Sequence, residues 1–210
     1  NVKIDSVSDL AKQGYDAIFL AIGTQGSAKI DIKGEDTPGV LDGISFLRNV
    51  NLGEKVKVGD DVAIIGGGNV AVDSARTALR LGAKTVTVIY RRSQAEMPAY
   101  PDEVKLALEE GVKINYLASP VKIDQDGDRL SLKCNRMELG EKDASGRPQP
   151  KPIKGSEFAL NFNTVIAAVG QVPDISPKFG VTVTKQNTIE VDAKTLVTSV
   201  KGVFAGGDIV

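Results

Sequence analysis

Residues 62–71 read Val-Ala-Ile-Ile-Gly-Gly-Gly-Asn-Val-Ala, a short apolar run, a turn of three glycines, then alanines at helical spacing. Such a run suits a strand buried on both faces of a parallel sheet. The turn sets Gly66, Gly68 and Ala71 in a Gly-x-Gly-x-x-Ala pattern, and each position meets a steric demand. Gly66 permits the tight turn, Gly68 leaves backbone uncovered for close approach of a phosphate, and small Ala71 lets the helix lie against the sheet. A helix opening here also presents free N–H groups and its positive dipole end to an anion. The pattern points to a dinucleotide site; its plain alternative is a structural glycine turn.

The flanking residues agree with a βαβ unit. A helix is expected over about 69–81, with Asp73 in its first turns, Arg76 and Arg80 near its end and Gly82 as C-cap, followed by a strand over 85–90. A second helix over about 102–110 and a strand over 112–117 continue the alternation, so a Rossmann-like, doubly wound parallel sheet is the expected α/β fold. Upstream, residues 16–22 read as a strand, 26–39 as loop, 43–51 as a short helix, and 53–60 as a boundary. Between 121 and 162 the apolar period switches to two, with Asp126-Gly127 as a turn, which implies an antiparallel excursion. Its connection over 140–152 carries three prolines and reads as an exposed loop. Ala21-Ile-Gly23 and Ala168-Val-Gly170 each follow an apolar run, as expected where a chain leaves and re-enters one domain around an inserted one. The expected division is therefore 1–60, 61–172 and 173–210, the first and last being parts of a second domain.

Composition narrows the chemistry. Among 210 residues there is no histidine and one cysteine, Cys134. That excludes a Ser-His-Asp triad, an imidazole zinc site, an internal disulfide and a Cys-x-x-Cys pair within the chain. No tyrosine has a lysine four residues on, Glu109 and Glu110 read as a solvated helix end, and Cys134 reads as structural. No catalytic side chain and no metal ligand set is expected, so the chemistry should come from a cofactor. The net charge of −1 gives no reason to expect nucleic acid or an anionic membrane. No run is long enough to span a bilayer and no signal-peptide pattern is present, so a cytoplasmic location is the default expectation. A start at Asn1 and a stop at Val210 just after a Gly-Gly-Asp turn lead us to expect a piece of a longer protein.

The end of the second strand bears on which dinucleotide is bound. An NAD site usually carries an acid there for the ribose hydroxyls. This chain has Arg91-Arg92 instead, and paired guanidinium groups can chelate a 2′-phosphate. NADP(H) is expected over NAD(H); two solvated arginines in a turn are the plain alternative.

Further segments carry a resemblance: Gly34-Glu-Asp-Thr-Pro-Gly-Val with Phe46-Leu47, Ile65-Gly-Gly-Gly-Asn-Val-Ala-Val-Asp73, Tyr90-Arg-Arg-Ser-Gln-Ala-Glu-Met-Pro-Ala99, Glu109-Glu-Gly-Val112, Ala167-Ala-Val-Gly-Gln-Val-Pro-Asp174 and Gly202-Val-Phe-Ala-Gly-Gly-Asp208. Jointly they resemble the two-dinucleotide flavin reductases, and more narrowly the small subunit of NADPH-dependent glutamate synthase and the matching region of dihydropyrimidine dehydrogenase. The resemblance implies an FAD domain interrupted by an NADPH domain, with hydride passing from NADPH to FAD and electrons going on to iron–sulfur centres or a partner subunit. It implies that Gly67, Gly68, Asn69 and Val70 contact the pyrophosphate, Arg91 and Arg92 the 2′-phosphate, Ala168, Val169 and Gly170 the nicotinamide side, and Asp208 the ribityl-phosphate part of FAD. The family's first FAD glycine turn and its cysteine clusters are absent from these residues. The chain is thus expected to hold the NADPH site nearly whole, only remnants of the FAD site, and no activity alone. A disulfide reductase is disfavoured by the missing redox pair, and a non-catalytic NADP(H)-sensing module stands as the alternative.

Overall fold

The computed structural model describes residues 4–142 and 146–210. The chain divides into two compact units, Asn1–Gly26 with Gln171–Val210, and Ser27–Gly170. In chain order the elements are α1 (Val7–Lys12), β1 (Ile18–Leu20), β2 (Gly26–Ser27), β3 (Val40–Asp42), α2 (Gly43–Asn51), β4 (Asp61–Ile65), α3 (Asn69–Arg80), β5 (Thr85–Tyr90), α4 (Pro101–Glu109) and β6 (Lys113–Tyr116). They continue with β7 (Ala118–Asp126), β8 (Arg129–Lys142), β9 (Pro148–Pro152), β10 (Phe158–Phe162), β11 (Thr164–Ala167), β12 (Gln171–Val172) and β13 (Val203–Ala205).

The larger unit is built on a five-stranded sheet of order β3-β11-β4-β5-β6, parallel throughout. Its central strand β4 is buried on both faces, as its continuous apolar run demands, and its side chains alternate between two cores. Val62 and Ile64 join Phe46 of α2, Ala71, Val72, Ala75 and Ala78 of α3, and Val104 and Ala107 of α4. Ala63 and Ile65 face the other way, onto Ile123, Leu130, Leu132, Cys134 and Phe162 of the antiparallel strands. The period-two segment is therefore a full layer: β7, β8 and β10 pair in the order β10-β8-β7 and cover the face that a second set of helices would otherwise take.

Two expectations change here. The division expected at residue 60 falls at 26, because β3 pairs in register with β11 (Val40 with Val165, Ile166 with Leu41) and α2 packs into the helical core. The proline-rich connection expected as a loop over 140–152 is partly strand: β9 pairs with β8, and residues 143–145 lie outside the described ones. Prolines occupy alternate positions 148, 150 and 152, while the next residue, Ile153, donates its N–H to the Arg136 carbonyl at 2.9 Å. Alternation puts the missing proline donors on the side away from β8, where an edge strand tolerates them.

Helix ends are also tied by groups that read as solvated in the sequence. Glu110 accepts from Arg76 Nη2 at 2.7 Å and from Arg80 at 3.1 Å, while Arg76 Nη1 reaches Glu103 at 2.8 Å, so α3 and α4 are clamped side by side. Hydrogen bonding from Arg76 holds the Glu110 carboxyl below the usual range. Asp73 lies past the first turn of α3, which carries no acidic residue.

The smaller unit pairs β1 with β13 in parallel, Ile18 opposite Val203 and Leu20 opposite Ala205. Val7, Ile18, Leu20, Ile189, Val203, Ala205 and Ile209 form its core. α1 is started by Ser6, whose Oγ accepts the Asp9 N–H at 3.2 Å.

Truncating Ile64 to alanine opens a cavity between two packed layers, and the expected loss is about 2–5 kcal/mol in urea unfolding followed by circular dichroism. Leu52, 65% exposed, serves as the contrast, and Leu52→Ala should change stability by less than about 0.5 kcal/mol.

Candidate functional site

The strand order places the site. From β4 the chain steps outward through α3 to β5 and through α4 to β6, whereas β11 returns on the opposite side of β4. The carboxyl ends of β4 and β11 thus flank the point where connections diverge, and a crevice opens there in sheets of this kind. It is at this point that residues 66–70 and 168–170, a hundred positions apart, come together.

Backbone contact between them is tight. Ala168 donates its N–H to the Ile65 carbonyl at 2.8 Å, and Gly66 donates to Ile89 at 3.1 Å. Gly66 has φ +142, and a Cβ on it would stand 2.1 Å from the Ala168 carbonyl oxygen. Only glycine meets both conditions. Ala168 is half-buried, and Val169 and Gly170 are exposed. Gly43, at the start of α2, closes the same corner: a Cβ there would lie 3.2 Å from the Ala168 Cβ and 3.3 Å from Val70 Cγ1. Sequence reasoning missed Gly43, whose only signal is its place right after a strand.

The three glycines have different surroundings. Gly67 is buried over the ring of Tyr90, which a Cβ would meet at 2.4 Å. Gly68 is the N-cap of α3, and the nearest atom to a Cβ there is Pro98 Cγ at 3.9 Å, so its outer side is open. Helical hydrogen bonding begins with the N–H groups of Ala71 and Val72, which both go to the Gly68 carbonyl at 3.0 and 3.2 Å. The amides of Gly68, Asn69 and Val70 precede that ladder, and no acidic side chain stands in the first turn to compete for an anion.

A segment that the residue pattern left unassigned braces this turn. Residues 93–100 fold back along it: the Tyr90 hydroxyl donates to the Glu96 carbonyl at 2.6 Å, Ala99 N–H to the Gly67 carbonyl at 3.2 Å, and Tyr100 N–H to Asn69 Oδ1 at 3.0 Å. Ser93 and Glu96 form a reciprocal capping box that starts the fold-back. The Ser-x-x-Glu spacing was the available signal.

Arg91 and Arg92 separate in space. Successive side chains at a strand end point to opposite sides. Arg91 is exposed, while Arg92 is only 5% exposed and its Nε donates to the Pro148 carbonyl at 2.9 Å. Asp208 lies in the smaller unit, exposed, three residues past the end of β13. Cys134 is buried among the apolar side chains of the antiparallel layer, and burial pushes its thiol up to about 12, far from a reactive thiolate. Among the described residues no group of acidic or cysteine side chains could hold a metal ion, and no helix is long and apolar enough to cross a membrane.

The family model described as pyridine nucleotide-disulphide oxidoreductase matches residues 1–210. The chain belongs to this family. It is 47% identical to the NADP(+)-dependent formate dehydrogenase subunit beta of Moorella thermoacetica, over 100% of this chain and 30% of that protein. It is 35% identical to the glutamate synthase [NADPH] small chain of Azospirillum brasilense, over 92% of this chain and 44% of that one. The chain thus spans less than half the length of these relatives. A solved structure of Mycobacterium tuberculosis FprA in complex with NADPH superposes with a TM-score of 0.76 at 19% identity, over 97% of this chain and 60% of that one. At that identity the likeness speaks for the fold alone.

Gly67→Ala should destabilise the larger unit by about 1–3 kcal/mol, because the new methyl group must displace the Tyr90 ring. Gly68→Ala, with room for its methyl, should cost less than about 1 kcal/mol, and thermal melting of the two variants side by side checks the difference.

Proposed function

We propose that this chain is the NADPH-binding portion of a flavin-dependent oxidoreductase, similar to the glutamate synthase small subunit, which passes hydride from NADPH to FAD and electrons on to iron–sulfur centres or a partner subunit. The observation that carries the reading is a glycine turn opening a helix at the switch point of a parallel sheet, with an exposed arginine at the end of the next strand. When bound, NADPH supplies the hydride and FAD accepts it. The chain's own residues bind and orient.

In this reading the amides of Gly67, Gly68, Asn69 and Val70 receive the pyrophosphate. The donor set fits an anion: amides ahead of the helical ladder, at a helix start without an acid, beside a glycine whose outer side is open. Arg91 meets the 2′-phosphate directly. Arg92, largely buried, takes part through the same strand end, and its hydrogen bond to Pro148 makes it chiefly a positioning residue. Ala168, Val169 and Gly170, at the end of the neighbouring strand, border the nicotinamide side. Asp208 contributes to FAD from the smaller unit. None of these roles asks a side chain of this chain to move a proton, in keeping with the absence of histidine.

The whole protein should purify yellow and reduce an artificial electron acceptor with NADPH. A colourless protein without that activity would overturn the flavoenzyme reading. For cofactor choice, Arg91→Ala should weaken NADPH by about ten- to a hundredfold, the equivalent of losing about 1.5–3 kcal/mol of charge-assisted contact, and leave NADH within about twofold. Equal losses for both nucleotides in fluorescence titration would remove Arg91 from the 2′-phosphate.

A further inference from the structure

The antiparallel layer brings another cation to the end of β5. The hydrogen bond from Arg92 Nε to the Pro148 carbonyl, 2.9 Å long, fixes the start of β9 beside the two residues that follow that strand. The residue before Pro148 is Arg147, which is exposed, and Gly146 at φ +77 turns the chain just ahead of it. The neighbouring strands are held to the same strand end. Leu117 donates its N–H to the Arg92 carbonyl at 3.1 Å, and Met137 of β8 donates to the Leu117 carbonyl at 2.8 Å. Met137 in turn stands opposite Pro152 of β9, and Lys142 opposite Pro148. The β8–β9 pair is thus anchored to the strand end both through its β8 backbone and through the first residue of β9.

Tyr90, under the glycine turn, senses the same gathering of charge. Burial raises its pKa, and against that the positive charges of Arg92, Arg147 and Arg91 all favour its phenolate. A phosphate dianion brought to this strand end is attracted by each of these charges. A phosphomonoester offers three acceptor oxygens, more than one guanidinium fork can satisfy.

Resting on the reading of the β5 end as the 2′-phosphate site, we propose that Arg147 is a specificity-determining residue: it supplies a further exposed guanidinium to the 2′-phosphate, and Arg92 is the positioning residue that holds it there. The antiparallel layer then takes part in cofactor choice as well as covering the sheet.

The test measures binding of 2′,5′-ADP and 5′-AMP to the whole protein by calorimetry, with Arg147→Ala, Arg147→Lys and Arg91→Ala variants. Arg147→Ala should weaken 2′,5′-ADP by about tenfold and leave 5′-AMP unchanged, and Arg147→Lys should recover part of the loss. In an Arg92→Ala background the further loss on removing Arg147 should shrink, since the two act through one arrangement. If Arg91→Ala loses 2′,5′-ADP selectively but Arg147→Ala does not, the role given to Arg147 is wrong and the site reading stands. If neither variant separates the two nucleotides, both fall together. Equal losses of both nucleotides on Arg147→Ala would make its role structural and also overturn the inference. Melting temperatures of the variants, read alongside, keep each comparison one of binding.

Discussion

The contact between Gly66 and the Ala168 carbonyl is the constraint on which the rest of the larger unit depends. Two parallel strands whose connections run in opposite directions end side by side, and their backbones meet more closely than any side chain allows. A Cβ at Gly66 would push β4 and β11 apart, and with them the helix start and the 168–170 segment that together frame the crevice. The same closeness leaves amides uncovered at the start of α3. Backbone approach is what a phosphate needs, so in the proposed reading the feature that makes the sheet close also makes the crevice fit a dinucleotide.

The sheet's two faces are covered by different means, with consequences for the site. Helices α2, α3 and α4 bury one face, and small alanines at 71, 75 and 78 let α3 lie close. The antiparallel strands bury the other face with larger side chains, Leu130, Leu132 and Phe162 among them. Because that second layer is not helical, it ends in a strand pair that reaches back to the strand end carrying the arginines, where Arg92 takes hold of Pro148. In the proposed reading, packing and recognition are linked through that one buried guanidinium, whose removal would leave the Pro148 carbonyl without its donor.

The chemistry open to such a chain is narrow. Its one thiol is buried and held in the protonated form, and the polar groups gathered at the crevice are mostly backbone. Such a surface can hold, orient and select a nucleotide. In the proposed reading that is enough, because the two cofactors between them carry both ends of the hydride transfer.

Much of this was legible in the residue order. The spacing of residues 62–71, the apolar runs and the glycine caps mark β4, α3, β5 and α2 nearly to the residue, because local sterics and periodicity act within one element. The glycine turn and the basic strand end were likewise visible. Three matters were decided only by tertiary structure. Residues 27–60 belong with the larger unit because β3 finds β11, a pairing across more than a hundred residues that no local pattern encodes. The prolines at 148, 150 and 152 sit in a strand because an edge lets their missing donors face outward, whereas in the sequence they look like loop. Adjacent Arg91 and Arg92 part ways because the sheet has an inside and an outside at that position, a distinction that exists only once the antiparallel layer has docked.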